Sequence, residues 1–145
     1  MSAASAFAEM PAAHADLCTE DDIALLVHSF YARVRADPVL GPIFDARIHD
    51  WDAHLAKLVD FWSSALRHTR RFNGAPMPRH AAMPGLSADL FRRWLRLFRD
   101  VAAAQPNRAM AERAVTLAER IAQSLWLGYQ LAHAPEALPE PLPHG

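Results

Sequence analysis

The amino-acid sequence predicts an all-α protein with a single domain. Four segments carry apolar residues at steps of three and four, which is the spacing of one face of an α-helix. No segment sustains the alternation of apolar and polar residues that is typical of a β-strand. The chain has 145 residues, of which 52% are apolar and 21% are charged, so it is long enough and apolar enough to bury one core.

The first predicted helix begins after Thr19. Thr19 and Asp22 have the spacing of a capping box, in which each residue binds the backbone of the other. An apolar stripe then spans Ile23–Val34. The helix is expected to end at Asp37, because a residue before a proline disfavours the helical conformation. Residues 40–44, LGPIF, are predicted to form a short apolar corner.

The other three predicted helices each follow a residue that can cap a helix, namely Asp50, Ser87 and Asn107. The first of them spans Trp51–Arg67 and the second spans Ala88–Ala104. The third begins after Asn107 and carries apolar residues at steps of three or four. These helices, together with the first, account for most of the chain.

The connection between the second and third helices includes Phe72–Leu86, FNGAPMPRHAAMPGL, with three prolines and one histidine, His80. So long a connection is uncommon in a compact domain unless it has a function. The prolines fix φ and stiffen the segment. A stiff segment can aim one imidazole at a metal, although a lone loop histidine is more often simply exposed.

Three side chains with polar tips lie on the inward faces of the predicted helices: Tyr31, His54 and Trp94. A polar group buried without a partner costs on the order of 1–3 kcal/mol, so three of them indicate a site for a ligand. The single cysteine, Cys18, excludes a cage of cysteines around a metal. An aromatic pocket with few polar groups and one loop histidine fits a planar, metal-carrying cofactor, for which haem is the obvious candidate.

Composition limits the partners and the location. The net charge of −1 gives no sign of a nucleic-acid or membrane partner. No apolar run is long enough to cross a bilayer, and the N-terminus lacks the pattern of a signal peptide, so we expect a cytoplasmic protein. Residues 1–18 are predicted to be a mobile extension, 19–132 the folded domain and 133–145 a proline-rich, irregular tail.

Five segments, in order along the chain, resemble the truncated haemoglobins of group III. They are FYARV (30–34), LGPIF (40–44), WDAHLAKLVDFW (51–62), FNGAPMPRHAAMPGL (72–86) and FRRWLRLF (91–98). The glycine pairs often found in groups I and II are missing, which favours group III. The resemblance spans about Thr19–Tyr129 and implies a globin-like two-over-two helical sandwich with one haem b per chain.

The same resemblance implies roles for single residues. His80 would be the proximal iron ligand, and Tyr31, His54 and Trp94 would surround a bound diatomic ligand. The residues that would line the haem are Phe44, Leu58, Phe61, Trp62 and Phe98.

Three arginines could pair with the haem propionates. Arg79 directly precedes the histidine at position 80, and Arg70 and Arg71 lie earlier in the same connection. A guanidinium binds a carboxylate through two parallel hydrogen bonds. The choice among the three is open at this point.

The resemblance implies a protein that binds O₂, NO and CO. Its hydrogen-bond donors favour retention of the ligand, and hence NO dioxygenation or peroxide-linked redox chemistry, over O₂ transport. A reductase is then an expected partner, and the protein is expected to be a monomer or a weak dimer. Two alternatives stay open: a haem with His54 as a second iron ligand, used in electron transfer or sensing, and a haem-free helical bundle that binds a partner.

Overall fold

The computed structural model describes residues 17–69, 86–134 and 136–142. These ranges contain helices and no strand, which confirms the all-α prediction. The helices are α1 (Glu20–Ala36), α2 (Leu40–Asp45), α3 (Trp51–Arg67), α4 (Ala88–Ala103) and α5 (Arg108–His133). Within the described ranges, no helix is both long and apolar enough to cross a membrane.

Each of the four long helices begins at the capping residue expected from the sequence. The Thr19 hydroxyl accepts a hydrogen bond from the Asp22 N–H at 3.0 Å, and the Asp22 carboxylate accepts one from the Thr19 N–H at 3.0 Å. The side chains of Asp50, Ser87 and Asn107 each accept a bond from the N–H three residues further on. These bonds satisfy N–H groups that have no partner inside the helix, so they fix where each helix starts.

The predicted apolar corner at residues 40–44 is in fact part of a short helix, α2. The Asp37 carboxylate accepts hydrogen bonds from the N–H groups of Val39, at 3.1 Å, and Leu40, at 2.8 Å, and so starts the helix. Pro42 lies in the first turn of α2, where N–H groups have no partner inside the helix, so the N–H that proline lacks is not needed for a helical hydrogen bond. Six residues are too few to show a helical period, which is why the sequence pattern did not reveal α2.

Gly41 allows α2 to pack closely on α1. A Cβ at this position would lie 2.5 Å from the carbonyl oxygen of Arg35, closer than such atoms approach in proteins. Glycine therefore sets the distance between α1 and α2. Through that distance it also sets the position of Phe44, which lies near the end of α2.

Helices α1 and α3 run antiparallel. At the start of α1, Glu20 accepts hydrogen bonds from Ser63 and Arg67 near the end of α3. Towards the other end of α1, the ring of Tyr31 lies 6.2 Å from that of Trp51, the first residue of α3. These contacts at opposite ends fix the direction of the pair.

Helices α4 and α5 form the second antiparallel pair. Arg99, late in α4, donates to Glu119 at 2.8 Å, whereas Phe91, early in α4, packs against Trp126 further along α5, with ring centroids 5.7 Å apart. Helix α1 packs against α4 as well as against α3. The two pairs together form the expected two-over-two sandwich.

Aromatic rings form much of the core between the pairs. Phe98 of α4 lies 4.9 Å from Phe30 of α1 in an edge-to-face arrangement, and 5.3 Å from Trp62 of α3 in a stacked one. All three side chains are buried. Such pairs contribute about 0.5–1.5 kcal/mol each beyond the burial of their area, so they help to lock α1, α3 and α4 together.

Residues 136–142 lie along α5 and are held there by two glutamines. Gln123 accepts from the N–H of Leu142 at 2.9 Å and donates to its carbonyl at 3.2 Å. Gln130 makes the same pair of bonds with Glu140, at 2.9 and 2.8 Å. Leu142 is buried, so this irregular segment is attached by side-chain packing as well as by hydrogen bonds.

Candidate ligand site

Tyr31 lies at the centre of a cluster of rings. Its side chain is only 5% exposed. Its ring centroid lies 6.0 Å from that of Phe44 on α2 and 6.2 Å from those of Trp51 and His54 on α3. Burial raises the pKa of the Tyr31 hydroxyl well above its usual range, because the phenolate would lose its hydration. Tyr31 is therefore a neutral hydroxyl at physiological pH.

Trp94 of α4 lies close to the Tyr31 hydroxyl. The indole can only donate, so its N–H acts towards the phenolic oxygen, and it lowers the pKa of Tyr31 by less than burial raises it. The phenolic hydrogen is left for a second acceptor. Trp94 is held in place by the rings of Phe30, at 5.2 Å, and Phe98, at 5.7 Å. The two donors predicted from the sequence thus act on each other, which the sequence could not reveal.

His54 lies half-buried on α3, between Tyr31 and solvent. Its ring is almost perpendicular to that of Tyr31, at 87°, and to that of Trp51, at 90° and 5.7 Å. The structure therefore brings together the three polar-tipped side chains that the sequence singled out.

Trp51 contacts this cluster but was not among the predicted site residues. Its indole N–H donates to the Asp45 carboxylate at 3.1 Å, and the Arg35 guanidinium lies 4.5 Å above its ring centroid. The signal in the sequence was its position three residues before His54, because residues at that spacing lie on the same face of a helix.

Helix α3 presents an apolar face that the described residues cover only in part. Among its residues, Trp62, Ser63 and Leu66, in the last two turns, are buried. Leu58 and Phe61 pack against the core but remain partly exposed. A broad apolar surface beside a buried neutral donor fits a planar apolar cofactor that carries a polar ligand.

The predicted pocket residues occupy two layers. Phe44, Leu58 and Phe61 are partly exposed and border the open face. Trp62 and Phe98 are 3% and 1% exposed and stack on each other beneath it. The second layer therefore supports the residues of the face.

The predicted iron ligand, His80, lies outside the described residues, as do Arg79, Arg70 and Arg71. Just before that part of the chain, α3 ends at His68, whose φ of 57° is left-handed and uncommon for a residue other than glycine.

A polar network holds the end of α3. Ser63 is fully buried; it donates to Glu20 at 2.8 Å and shares a hydrogen bond with Thr69 at 2.7 Å. Arg67 binds the same Glu20 carboxylate oxygen. Thr69 is thus fixed to Ser63 of α3, which is itself bonded to α1, and this anchors the chain immediately before residues 70–85. Nearby, burial raises the pKa of Cys18 to about 11, so this buried residue is a thiol at physiological pH.

Comparison with known proteins identifies the class. The chain is 36% identical over 85 residues to the group 3 truncated hemoglobin ctb of Campylobacter jejuni, a match that covers 56% of this chain and 67% of that protein. The crystal structure of the group III truncated hemoglobin from Campylobacter jejuni matches with a TM-score of 0.73 and 29% sequence identity, over 83% of this chain and 96% of that chain. No family model matches the sequence.

The helical sandwich is that of a globin. Within the globins, the chain belongs to the group III truncated haemoglobin family. Membership implies a bound haem and diatomic ligands.

Proposed function

We propose that this protein carries haem b, with His80 as the protein ligand of the iron, and uses it for chemistry on O₂ and NO. When bound, haem would supply an iron that can bind diatomic gases, and a histidine would be its protein ligand. The observation that carries the proposal is the buried, neutral hydroxyl of Tyr31 beside the partly open apolar face of α3. Arg79, Arg70 or Arg71 would bind the haem carboxylates.

The hydroxyl of Tyr31 favours retention of a polar ligand. A hydrogen bond to a neutral donor contributes about 0.5–1.5 kcal/mol, which slows the escape of the ligand by up to roughly tenfold. The indole N–H of Trp94, which acts towards the phenolic oxygen, would orient the Tyr31 hydrogen, and His54 lies beside Tyr31. A site that retains O₂ suits a reaction at that site better than delivery elsewhere.

Dioxygenation of NO is the reaction we assign. NO and O₂ combine with one electron to give nitrate, so each turnover requires a reductase to supply that electron. The protein contributes a dry, apolar surface from Phe44, Leu58 and Phe61, and the donor that holds O₂ until NO arrives. We place this reaction in the cytoplasm, where reductases and NADH-dependent electron donors are found.

The proposal is tested by O₂ dissociation from the reduced protein, measured by displacement with CO. Tyr31→Phe removes the donor and keeps the ring, so we expect O₂ to leave about tenfold faster. Tyr129→Phe is the matched control, because this tyrosine stacks on Trp126 and His133 of its own helix, α5. Equal O₂ dissociation rates in the wild type and Tyr31→Phe would overturn the proposed role of the hydroxyl.

A separate measurement tests the alternative in which His54 is a second iron ligand. A low-spin ferric spectrum that is lost in His54→Ala would favour that alternative.

A further inference from the structure

The rings around Tyr31 differ in their exposure. The ring of Phe30 lies 4.7 Å away and is itself buried, so it closes the core side. Phe44, Trp51 and His54 are partly exposed, so they form the solvent side. The path from solvent to the Tyr31 hydroxyl on this side therefore passes these three rings.

Trp51 is held by contacts from two other elements, made by Arg35 and Asp45, and we call these two residues the clamp. The indole N–H donates to the Asp45 carboxylate at 3.1 Å, at the end of α2. The Arg35 guanidinium, in the last turn of α1, lies 4.5 Å above the indole ring. Arg35 and Asp45 also pair with each other at 4.0 Å.

The clamp is built from exposed groups. The side chains of Arg35 and Asp45 are 49% and 55% exposed, so their attraction is weak and is screened by salt. Weak, exposed contacts contribute little to the stability of a fold. They can, however, hold a side chain that must move, because they break and re-form easily.

Trp51 also restrains the residue next to the site. Its ring lies edge-on to that of His54 at 5.7 Å and tilted against that of Tyr31 at 6.2 Å. A movement of the indole away from Asp45 would open the space beside Tyr31 and remove a support of His54.

We propose that Trp51 is a gate for diatomic ligands and that the clamp holds it closed. With the clamp formed, the indole fills the solvent side of the site and keeps His54 against Tyr31. When Arg35 and Asp45 release the indole, a small ligand can enter or leave. The inference rests on the proposed function, because it concerns access to the same ligand site. Trp51 is a positioning residue that does not touch the bound ligand.

The test uses CO as the probe and measures its association after flash photolysis and its dissociation by displacement with NO. A gate changes the barrier to passage of the ligand. CO accepts hydrogen bonds poorly, so its bound state should stay the same even when His54 loses its contact with the indole. Trp51→Ala should therefore raise both rates by the same factor, about tenfold, and leave the affinity for CO unchanged. Arg35→Gln should raise both rates by a smaller common factor. It should also abolish the acceleration of CO association that we expect for the wild type at high salt.

Arg33→Gln is the matched control. Arg33 lies two residues earlier on α1 and pairs with Asp100 at 3.9 Å, and the two side chains are 52% and 57% exposed. This pair resembles the pair of Arg35 and Asp45 in exposure and separation, but its two residues are not part of the clamp on Trp51. Both CO rates should equal those of the wild type.

A second readout does not depend on ligand rates. In the CO-bound protein, the hydrogen exchange of the Trp51 indole N–H is followed by NMR, and its signal is assigned by its loss in Trp51→Phe. Asp45→Ala removes the acceptor, so exchange should speed up several-fold, while Arg33→Gln should leave it unchanged.

Three outcomes would overturn the gate. The first is that CO rates stay unchanged in Trp51→Ala. The second is that only CO dissociation changes in this variant, which would mean that the indole touches the bound ligand, and the third is that hydrogen exchange of the indole N–H stays unchanged in Asp45→Ala. A wild-type protein that binds no CO would overturn the proposed function as well. The absence of any CO-induced spectral change distinguishes that result from failure of the gate alone.

Discussion

Tyr31 and Trp94 form a unit at the scale of single residues. Burial keeps the phenol neutral, and the indole N–H acts as a donor towards its oxygen, so we expect the direction in which the phenol can donate to depend on the indole. The rings of Phe30 and Phe98 hold Trp94 from two sides, which makes the pair rigid. The role of each residue therefore includes the placement of the other.

A double-mutant cycle tests this unit. Trp94→Phe keeps an aromatic ring and removes the N–H, so the Tyr31 hydroxyl loses its orientation and O₂ should dissociate about three- to tenfold faster. In a Tyr31→Phe background, the same change should have a clearly smaller effect, because no hydroxyl is left to orient. The O₂ dissociation rates of the four proteins give the coupling directly. Strictly additive effects would mean that the two donors act independently.

At the scale of elements, Asp37 joins three helices. It follows the last residue of α1, its carboxylate starts α2, and it accepts two hydrogen bonds from Arg93 of α4, at 2.8 and 2.9 Å. Its side chain is only 8% exposed. The hydrogen bonds from Arg93, followed by those from the backbone of Leu40 and Val39, lower the pKa of Asp37 to about 2.

This lowered pKa makes a prediction about acid stability. The folded protein binds the Asp37 proton less readily than the unfolded chain, whose carboxyl titrates near 3.8. The stabilisation is therefore complete above about pH 4 and is lost as the pH falls towards 2. Arg93 is 32% exposed and screened by solvent, so we expect roughly 1–2 kcal/mol in the free energy of unfolding.

Urea unfolding between pH 2 and pH 7 measures the effect. Asp37→Asn should lower the free energy of unfolding at pH 7 and flatten its dependence on pH below pH 4. Asp100→Asn breaks a more exposed ion pair, with Arg33, and should change stability much less. A pH dependence in Asp37→Asn as steep as that of the wild type would show that other carboxylates cause the acid sensitivity.

The elements also show how far a sequence can predict such a site. The capping residues and apolar stripes predicted the four long helices, because both signals are local. The face of α3 that carries His54 and Leu58 could be predicted for the same reason. Helix α2 was missed because it is short. The role of Trp51 was missed because its partners, Arg35 and Asp45, come from two other helices, and no local pattern records their convergence.

The attachment of residues 136–142 to α5 is a further feature that the sequence did not predict. Gln123 and Gln130 lie two turns apart on α5. The side-chain amide of each binds both the N–H and the carbonyl of one residue in the segment 136–142. Glutamines on a helix surface are common, and the sequence contains nothing that distinguishes these two. Only the path of the chain brings the tail to them.

At the scale of the whole molecule, the sandwich leaves the face of α3 incompletely covered beside a buried donor. Helices α1, α3 and α4 bury one another through Phe30, Trp62 and Phe98, so the fold has a core of its own. The partly exposed residues of α3 are then the surface on which a haem would pack. A protein of this design should gain stability when haem binds, because a ligand that binds only the folded state stabilises it.

The most direct measurement is the visible absorption spectrum of the purified protein after addition of haem, compared with that of His80→Ala. We expect the wild type to show the spectrum of a haem protein, with a shift on addition of CO, and His80→Ala to lose it because the iron has no protein ligand. His28→Ala removes an exposed histidine of α1 and should leave the spectrum unchanged. A wild type that shows only the spectrum of free haem, or a His80→Ala spectrum identical to that of the wild type, would contradict the assignment of His80 as the iron ligand.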